Sequence, residues 1–311
     1  MLTRRHLIRS AAQAAAAGLV LPGAAAAAGE QSTAAASPGR SPLCLFSKHL
    51  PDLDWTRLAR AVKGIGFDGV DLTVRAAGHV LPARATEDLP RAVAAIKAEG
   101  VTVPMITTEL TSASDPTAKP ILQAAARSGV QYFKTGYWRY TASSDVRAQV
   151  AAVGKALEGL AALARDCGVE LGFHNHAAYI GAAFWEIAPA MDRLDPKWAG
   201  YYFDPRHAVA EGGGGTWKAA TYLVAPRMKM MALKDFYWEK TAKGWVIRDC
   251  PMGEGAVDWT FVGKAVSEAK FHGPISLHLE YEIPGATAEE RTANTIKAAT
   301  KDLAFARKFF G

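Results

Sequence analysis

Cysteine, long apolar runs and blocks of one charge are all scarce in this chain. Its 311 residues hold three cysteines, Cys44, Cys167 and Cys250, an odd number with no paired spacing. That argues against a disulfide framework and against a thiolate metal site. Cys44 and Cys167 lie beside expected buried elements and read as plain core residues. The most hydrophobic early stretch, Ala11 to Leu21, is too short and alanine-rich to span a bilayer. No long basic block is present. Of the formal charge of +6, Arg4, Arg5 and Arg9 supply three, leaving about +3 for the rest. So small an excess does not argue for nucleic acid. No Gly-rich fingerprint follows the first expected strand, which counts against an open doubly wound sheet with a dinucleotide site.

What is present begins with Thr3-Arg4-Arg5-His6-Leu7-Ile8-Arg9, a twin-arginine start. The mild apolar stretch follows, and Ala24 to Ala28 offers small-x-small cleavage sites. Residues 1–28 therefore read as a twin-arginine signal peptide, with a periplasmic or otherwise exported product. Residues 29–42, rich in Ala, Ser, Pro and Gly, read as a disordered leader. Residues 43–311 are close to the size of one β/α barrel, and half of the whole sequence is apolar, enough for a large core.

Strand and helix signals alternate eight times. The strands start at Leu43, Gly69, Val101, Gln131, Val169, Gly200, Met228 and Ile275. Helices lie between them, and a last one runs to Phe310, capped by Thr287 with Glu290 completing a capping box. Glycines at 66, 100, 129 and 168 stand where helices should stop before strands. The strands are short and apolar on both faces, as in a parallel sheet covered by helices. The expected fold class is α/β, a single (β/α)8 TIM barrel after an export signal.

Four segments of the second half end on groups able to bind a metal or move a proton: His174-Asn175-His176, Asp204-Pro205-Arg206-His207, Lys234-Asp235 and His278-Leu279-Glu280. At the C-terminal ends of parallel strands these meet at the barrel mouth. Side chains alternate along a strand, so Gly172, His174 and His176 share one face, as do Ser276, His278 and Glu280. His174, Asp204 and Glu280 make a ligand set for a divalent cation, with His207 or His176 as a fourth ligand or a substrate contact. Taken singly, each has a structural alternative: a hydrogen-bonded histidine, a turn at Asp204-Pro205, or a salt-bridged plug of Asp71, Lys134 and Lys234. Lys234 would point inward, as an electrophile toward a carbonyl or oxyanion. Lys48, His79, Glu109, Lys134, Tyr137, Arg139 and His278 are the candidate substrate contacts, with Tyr137, Trp138 and Tyr140 as a stacking face for a sugar. Pro251 to Gly255 reads as a lid, and Gly212 to Gly215 as a flexible loop at the mouth.

The stretches Gly168 to His176, Phe203-Asp204 with His207, Ala232 to Asp235, Gly253-Glu254-Gly255 and Ser276 to Tyr281 together resemble the sugar phosphate isomerase/epimerase family of xylose-isomerase-like barrels. The resemblance runs from about Ser41 to Gly311 and implies a divalent cation, manganese, cobalt or zinc, at the ends of strands five to eight. Carried over, its ligand positions fall on His174, Asp204 and Glu280, with His278 as a competing alignment, and His207 matches a substrate or second-metal contact. Strand seven departs: Ala232 stands where the family commonly has histidine. His174 likewise replaces the glutamate base of the epimerases.

The function expected is an exported, metal-dependent sugar isomerase or epimerase that abstracts a proton next to a carbonyl, with His176, Lys234 and Glu280 as catalytic groups. The alternatives are cleavage of a 3-keto-glycoside by elimination on the same barrel, and a non-catalytic sugar-binding barrel. A related apurinic-site endonuclease would need more histidines in one cluster and a basic groove. Partners expected are a small-molecule sugar or sugar derivative and the twin-arginine export machinery. A homo-oligomer is left open, and neither nucleic acid nor stable membrane insertion is expected.

Overall fold

A computed structural model describes residues 40–141 and 145–311. The expected signal peptide and most of the expected leader lie outside the described residues. Arg40 to Pro42, counted with that leader in the sequence, already pack on the barrel: Arg40 pairs with Asp68 at 2.6 Å, and Ile275 donates its backbone N–H to the Pro42 carbonyl.

Eight parallel strands close into a barrel. In chain order they are β1 (Leu43–Phe46), β2 (Gly69–Val74), β3 (Thr102–Thr108), β4 (Tyr132–Lys134), β5 (Glu170–His174), β6 (Ala199–Phe203), β7 (Met228–Leu233) and, after an inserted hairpin, β10 (Ile275–Leu277). The order around the barrel is β1-β10-β7-β6-β5-β4-β3-β2. The connecting helices are α1 (Trp55–Ile65), α2 (Ala85–Ala98), α3 (Ala118–Arg127), α4 (Val146–Cys167), α5 (Phe184–Met191), α6 (Pro205–Val224) and α7 (Trp259–Glu268), and α8 (Ala288–Phe310) follows the last strand. The fold is the single TIM barrel that the alternating pattern predicts.

The local reasons are those of the sequence. Asp54, Asp258 and Thr287 each accept a backbone N–H at the start of α1, α7 and α8. Gly66 and Gly168 end α1 and α4 in the left-handed conformation that glycine adopts without strain. All three cysteines are free, and no helix among the described residues is long and apolar enough to cross a membrane.

Two elements differ from expectation. Helix α6 begins at Pro205, directly after β6, because Asp204 caps it and Pro205 fits its first turn. The glycine run therefore lies within α6 rather than in a loop, and Gly213 (φ 53°, ψ −151°) kinks it. After β7, strands β8 (Asp235–Thr241) and β9 (Gly244–Cys250) form an antiparallel hairpin outside the barrel. Asp235 anchors this excursion. It is buried and accepts from the backbone of Phe236, Gly253 and Val257 and from the Trp259 indole. The expected lid, Pro251 to Gly255, packs on α8 instead: Met252 donates its N–H to Asp302, and Glu254 pairs with Lys301.

Candidate active site

Inside the barrel, Met105, Tyr202, Met230 and Ala232 form a small apolar plug. Gly172, whose inward face carries no side chain, leaves the room that the tip of Met230 fills. Above the plug the inward positions turn polar. Strand alternation brings Lys134 and His174, the last residues of β4 and β5, and Lys234 and His278, the first beyond β7 and β10, into one cavity of about 270 Å³. Its wall also includes Phe46, Lys48, Arg75, Thr107, Tyr137, His176, Ala177, Tyr202, Arg206, His207, Asp249 and Glu280.

Asp204 is the hub beneath this cavity and is fully buried. Its Oδ2 lies 3.0 Å from His174 Nε2, 3.1 Å from Lys234 Nζ and 3.7 Å from His207 Nε2. Its Oδ1 accepts the His207 backbone N–H, so the residue that caps α6 also holds the site together. Asn175 fixes it from behind, accepting the Asp204 N–H and donating to the Asp204 carbonyl. Burial would push the Asp204 carboxyl up. The charge of Lys234 and the contacts with His207 and His174 outweigh this and hold it well below the usual carboxylate range. An ionised carboxylate only accepts, so His174 carries its proton on Nε2. Its Nδ1 then accepts from the Tyr137 hydroxyl at 2.8 Å, a phenol that burial keeps protonated. Burial likewise drives the His174 and His207 imidazoles well down in pKa, so both are neutral.

His176 is set differently. Its Nδ1 donates to the Ala177 carbonyl at 2.9 Å, which leaves Nε2 as a bare lone pair on a residue that lines the cavity. Its ring packs on His207, Tyr137 and Tyr179 at 4.0, 4.7 and 5.1 Å between centroids. Glu280 pairs with Lys48 at 2.7 Å, and its Oε1 faces His278 Nδ1 at 3.6 Å. Burial raises its carboxyl, but His278, Lys234 and Lys48 outweigh this and hold it low. Lys134 stands 3.4 Å over the Tyr137 ring, and burial, then Arg75, lowers its ammonium pKa well below the ordinary value. Deeper in the barrel Asp71 accepts from Ser276 and Thr107 at 2.8 Å each and from Tyr202 at 3.4 Å. It therefore forms no plug with the two lysines.

Of the residues singled out in the sequence, the cavity gathers Lys48, Lys134, Tyr137, His174, His176, His207, Lys234, His278 and Glu280, with Asp204 just behind. Three expected substrate contacts are not on its wall. His79 is turned back onto its own strand, where its N–H reaches Thr73. Arg139 lies over the Tyr179 ring, and Glu109 follows β3 without lining the cavity. Of the expected stacking face only Tyr137 lines the cavity: Trp138 packs on Phe173 in the core, and Tyr140 bonds Glu186. Phe46, Thr107 and Asp249 line the cavity without having been signalled. Thr107 shares the inward face of β3 with Met105, a periodicity that marks it, whereas Asp249 arrives on the hairpin and has no such mark.

Among the described residues, His174, Asp204 and His207 form one group with donor atoms within 4.8 Å of one another, close enough to hold a metal ion. Glu280, expected as a ligand beside His174 and Asp204, is not in it, and His207, expected as a fourth ligand or a substrate contact, is. The donor chemistry fits a divalent ion poorly. Arg206, which can only donate, meets His207 Nδ1 at 3.0 Å, so the neutral ring carries its proton on Nε2. Nε2 of His174 carries one too. Neither imidazole thus turns a lone pair toward Asp204, and the carboxylate is already paired with Lys234.

By sequence, no curated protein matches the chain. Solved structures similar to it include D-psicose 3-epimerase from Clostridium cellulolyticum H10, at 12% identity and TM-score 0.65, covering 86% of this chain and 99% of that one. The 3-keto-D-glucoside 4-epimerase from E. coli superposes at 15% identity and TM-score 0.65, covering 86% and 100%. A xylose isomerase-like TIM barrel protein from Mycobacterium smegmatis, solved in complex with magnesium, gives 16% identity and TM-score 0.62, covering 85% and 98%. At such identities the likeness speaks for the fold. A family match does extend over residues 59–308, most of the barrel, and through it the chain belongs to the xylose isomerase-like TIM barrel family.

Proposed function

We propose that this protein is an exported sugar isomerase or epimerase that moves a proton next to a carbonyl. The observation that carries the reading is the pairing of a bare imidazole nitrogen, His176 Nε2, with the Lys234 side chain on the wall of one cavity. A ligand oxygen set against Lys234 would be polarised toward an enediolate, and His176 would take up the carbon-bound proton. Glu280, held acidic by its neighbours, is a weaker base, and its pairing with Lys48 suits it to binding hydroxyls. Lys134 and Tyr137 supply further polar contacts. A cavity of about 270 Å³ lies at the small end for ligand sites and suits a monosaccharide unit. The activities of the two epimerases above support this chemical class without naming the substrate.

Exchange of carbon-bound hydrogen into heavy water across a panel of keto- and aldo-sugars, 3-keto-glucosides included, tests the reading. Exchange is expected with at least one of them, falling by roughly 100-fold or more in His176→Ala. Absence of exchange with every sugar, with and without added manganese, cobalt or zinc, would sink it. Release of free alcohol from a 3-keto-glycoside in the same assay would mark elimination as the outcome of the same enolisation. Export rests on Arg4 and Arg5. The native chain should fractionate with the periplasm, and the Arg4→Lys, Arg5→Lys double variant should stay in the cytoplasm.

A further inference from the structure

We propose that the ammonium of Lys234 is the resident cation of this barrel, standing where a divalent ion would sit, so that the site is assembled and works without metal. Its ligand-polarising role rests on the enolising reading above; the metal-free assembly does not.

Four observations converge. The Lys234 ammonium lies 3.1 Å from Asp204 Oδ2, and both side chains are almost wholly out of solvent. This is the oxygen at the centre of the His174, Asp204 and His207 group. Second, protons rather than lone pairs face the carboxylate, although the His207 Nε2 proton, 3.7 Å away and without a hydrogen-bond partner, does not reach it. His174 donates from Nε2, and His207 is held with its proton on Nε2 by Arg206, which Asp249 in turn grips at 2.9 and 2.6 Å. Metal ligation through Nε2 would require that proton to move to Nδ1, against a guanidinium that can only donate. Third, the strand position two residues before Lys234 is Ala232, buried in the apolar plug, so β7 offers the ammonium in place of a ligand. Fourth, Glu280 on the next stave is committed to Lys48.

Charge decides between the two cations. Asp204 and Lys234 neutralise each other in a desolvated site. A divalent ion added beside them would leave an excess of two positive charges with no second buried carboxylate in the group, which low-dielectric surroundings penalise heavily. A fixed ammonium can still do what the enolising step needs, which is to hold and polarise one oxygen. It offers a single point of positive charge, so it orients one ligand oxygen rather than chelating two.

The test uses the full exported chain, purified without chelator, and metal alone as the probe. Elemental analysis should find well under one divalent ion per chain. Chelator treatment should leave the melting temperature and heavy-water exchange unchanged, and titration with zinc or manganese should give no stoichiometric binding. Lys234→Met, which empties the cation position at similar volume, should bind zinc at least about tenfold more tightly than the native chain, and adding Asp204→Asn should abolish that gain. A stoichiometric ion in the native protein, loss of exchange on chelation, or unchanged zinc affinity in a folded Lys234→Met would each overturn the proposal. If Lys234→Met does not fold, the native metal content and the chelator response still decide. Exchange that appears only with added metal would defeat this proposal and leave the enolising reading intact. No exchange under any condition would defeat that reading, and the metal measurements alone would then judge this one.

Discussion

Asp204 shows how one side chain can serve local and distant structure together. Its Oδ1 caps α6 three residues on, while its Oδ2 gathers groups from β5, α6 and the end of β7. From the sequence, Asp204-Pro205 offers a turn or a ligand. The structure makes it a helix cap and an ion-pair hub, and Lys234 is the partner the sequence could not assign. His49 illustrates the opposite case, a titratable residue with a purely structural task. Its Nε2 accepts the Leu279 backbone N–H at 3.0 Å, which only the neutral ring can do. Burial, then the neighbouring His278, lowers its pKa from 6.5 to about 3. A depressed histidine stabilises the fold fully above about 6.5 and loses that contribution as pH falls toward 3. Asp71 and Asp302, raised to about 6 by burial, act in the opposite sense, favouring the fold at low pH and losing that as pH climbs through 6. Replacing His49 by Gln keeps an acceptor and removes the titration. Urea midpoints for His49→Gln should therefore fall less between pH 6.5 and 4 than those of the native chain, the two carboxyls being common to both. An equal fall in both would remove His49 as the cause.

At the level of elements, α6 carries the main departure from what the sequence suggests. Four consecutive glycines lower helix propensity so far that a loop is the natural expectation. The helix survives because Asp204 caps it, Pro205 starts it, and buried Trp217, Ala220, Thr221 and Val224 fix its second half. Only Gly213 leaves helical geometry, and it does so at positive φ with open space around the position a side chain would take. Substitution there should cost conformational energy without a clash. Gly213→Ala is expected to destabilise the chain by about 1–3 kcal/mol. Gly215→Ala, helical and equally open, should be neutral or stabilise by up to about 1 kcal/mol. Chemical denaturation of the two variants checks the contrast, and equal effects would place the kink elsewhere. The remaining staves are legible within a few residues, because short runs apolar on both faces, bounded by capping residues and glycines, admit few other readings. The hairpin was not legible as such: alternation in 235–250 marks two strands only once their pairing is known.

Across the whole molecule, the convergence of polar groups at one rim was readable, since strand periodicity and barrel topology together dictate it. Their pairing was not. Lys48 and Glu280 stand 232 residues apart in sequence and meet only because β1 and β10 are neighbours in the closed barrel. Arg206 and Asp249 belong likewise to a helix and to an insertion that no stave-by-stave reading connects. That pair makes a prediction at this scale. Asp249→Ala strands a buried guanidinium, so it should cost about 1–3 kcal/mol and speed amide hydrogen exchange across 235–250, with the barrel strands little changed. Uniform acceleration over the barrel would contradict a local tether.

The hairpin stands outside the ring of staves, yet it delivers Asp249 to the cavity wall and, through Arg206, sets which nitrogen of His207 bears the proton. Because barrel closure does not depend on it, this appendage is free to diverge, so a related chain with a different insertion could acquire another ligand preference while every stave stays as it is.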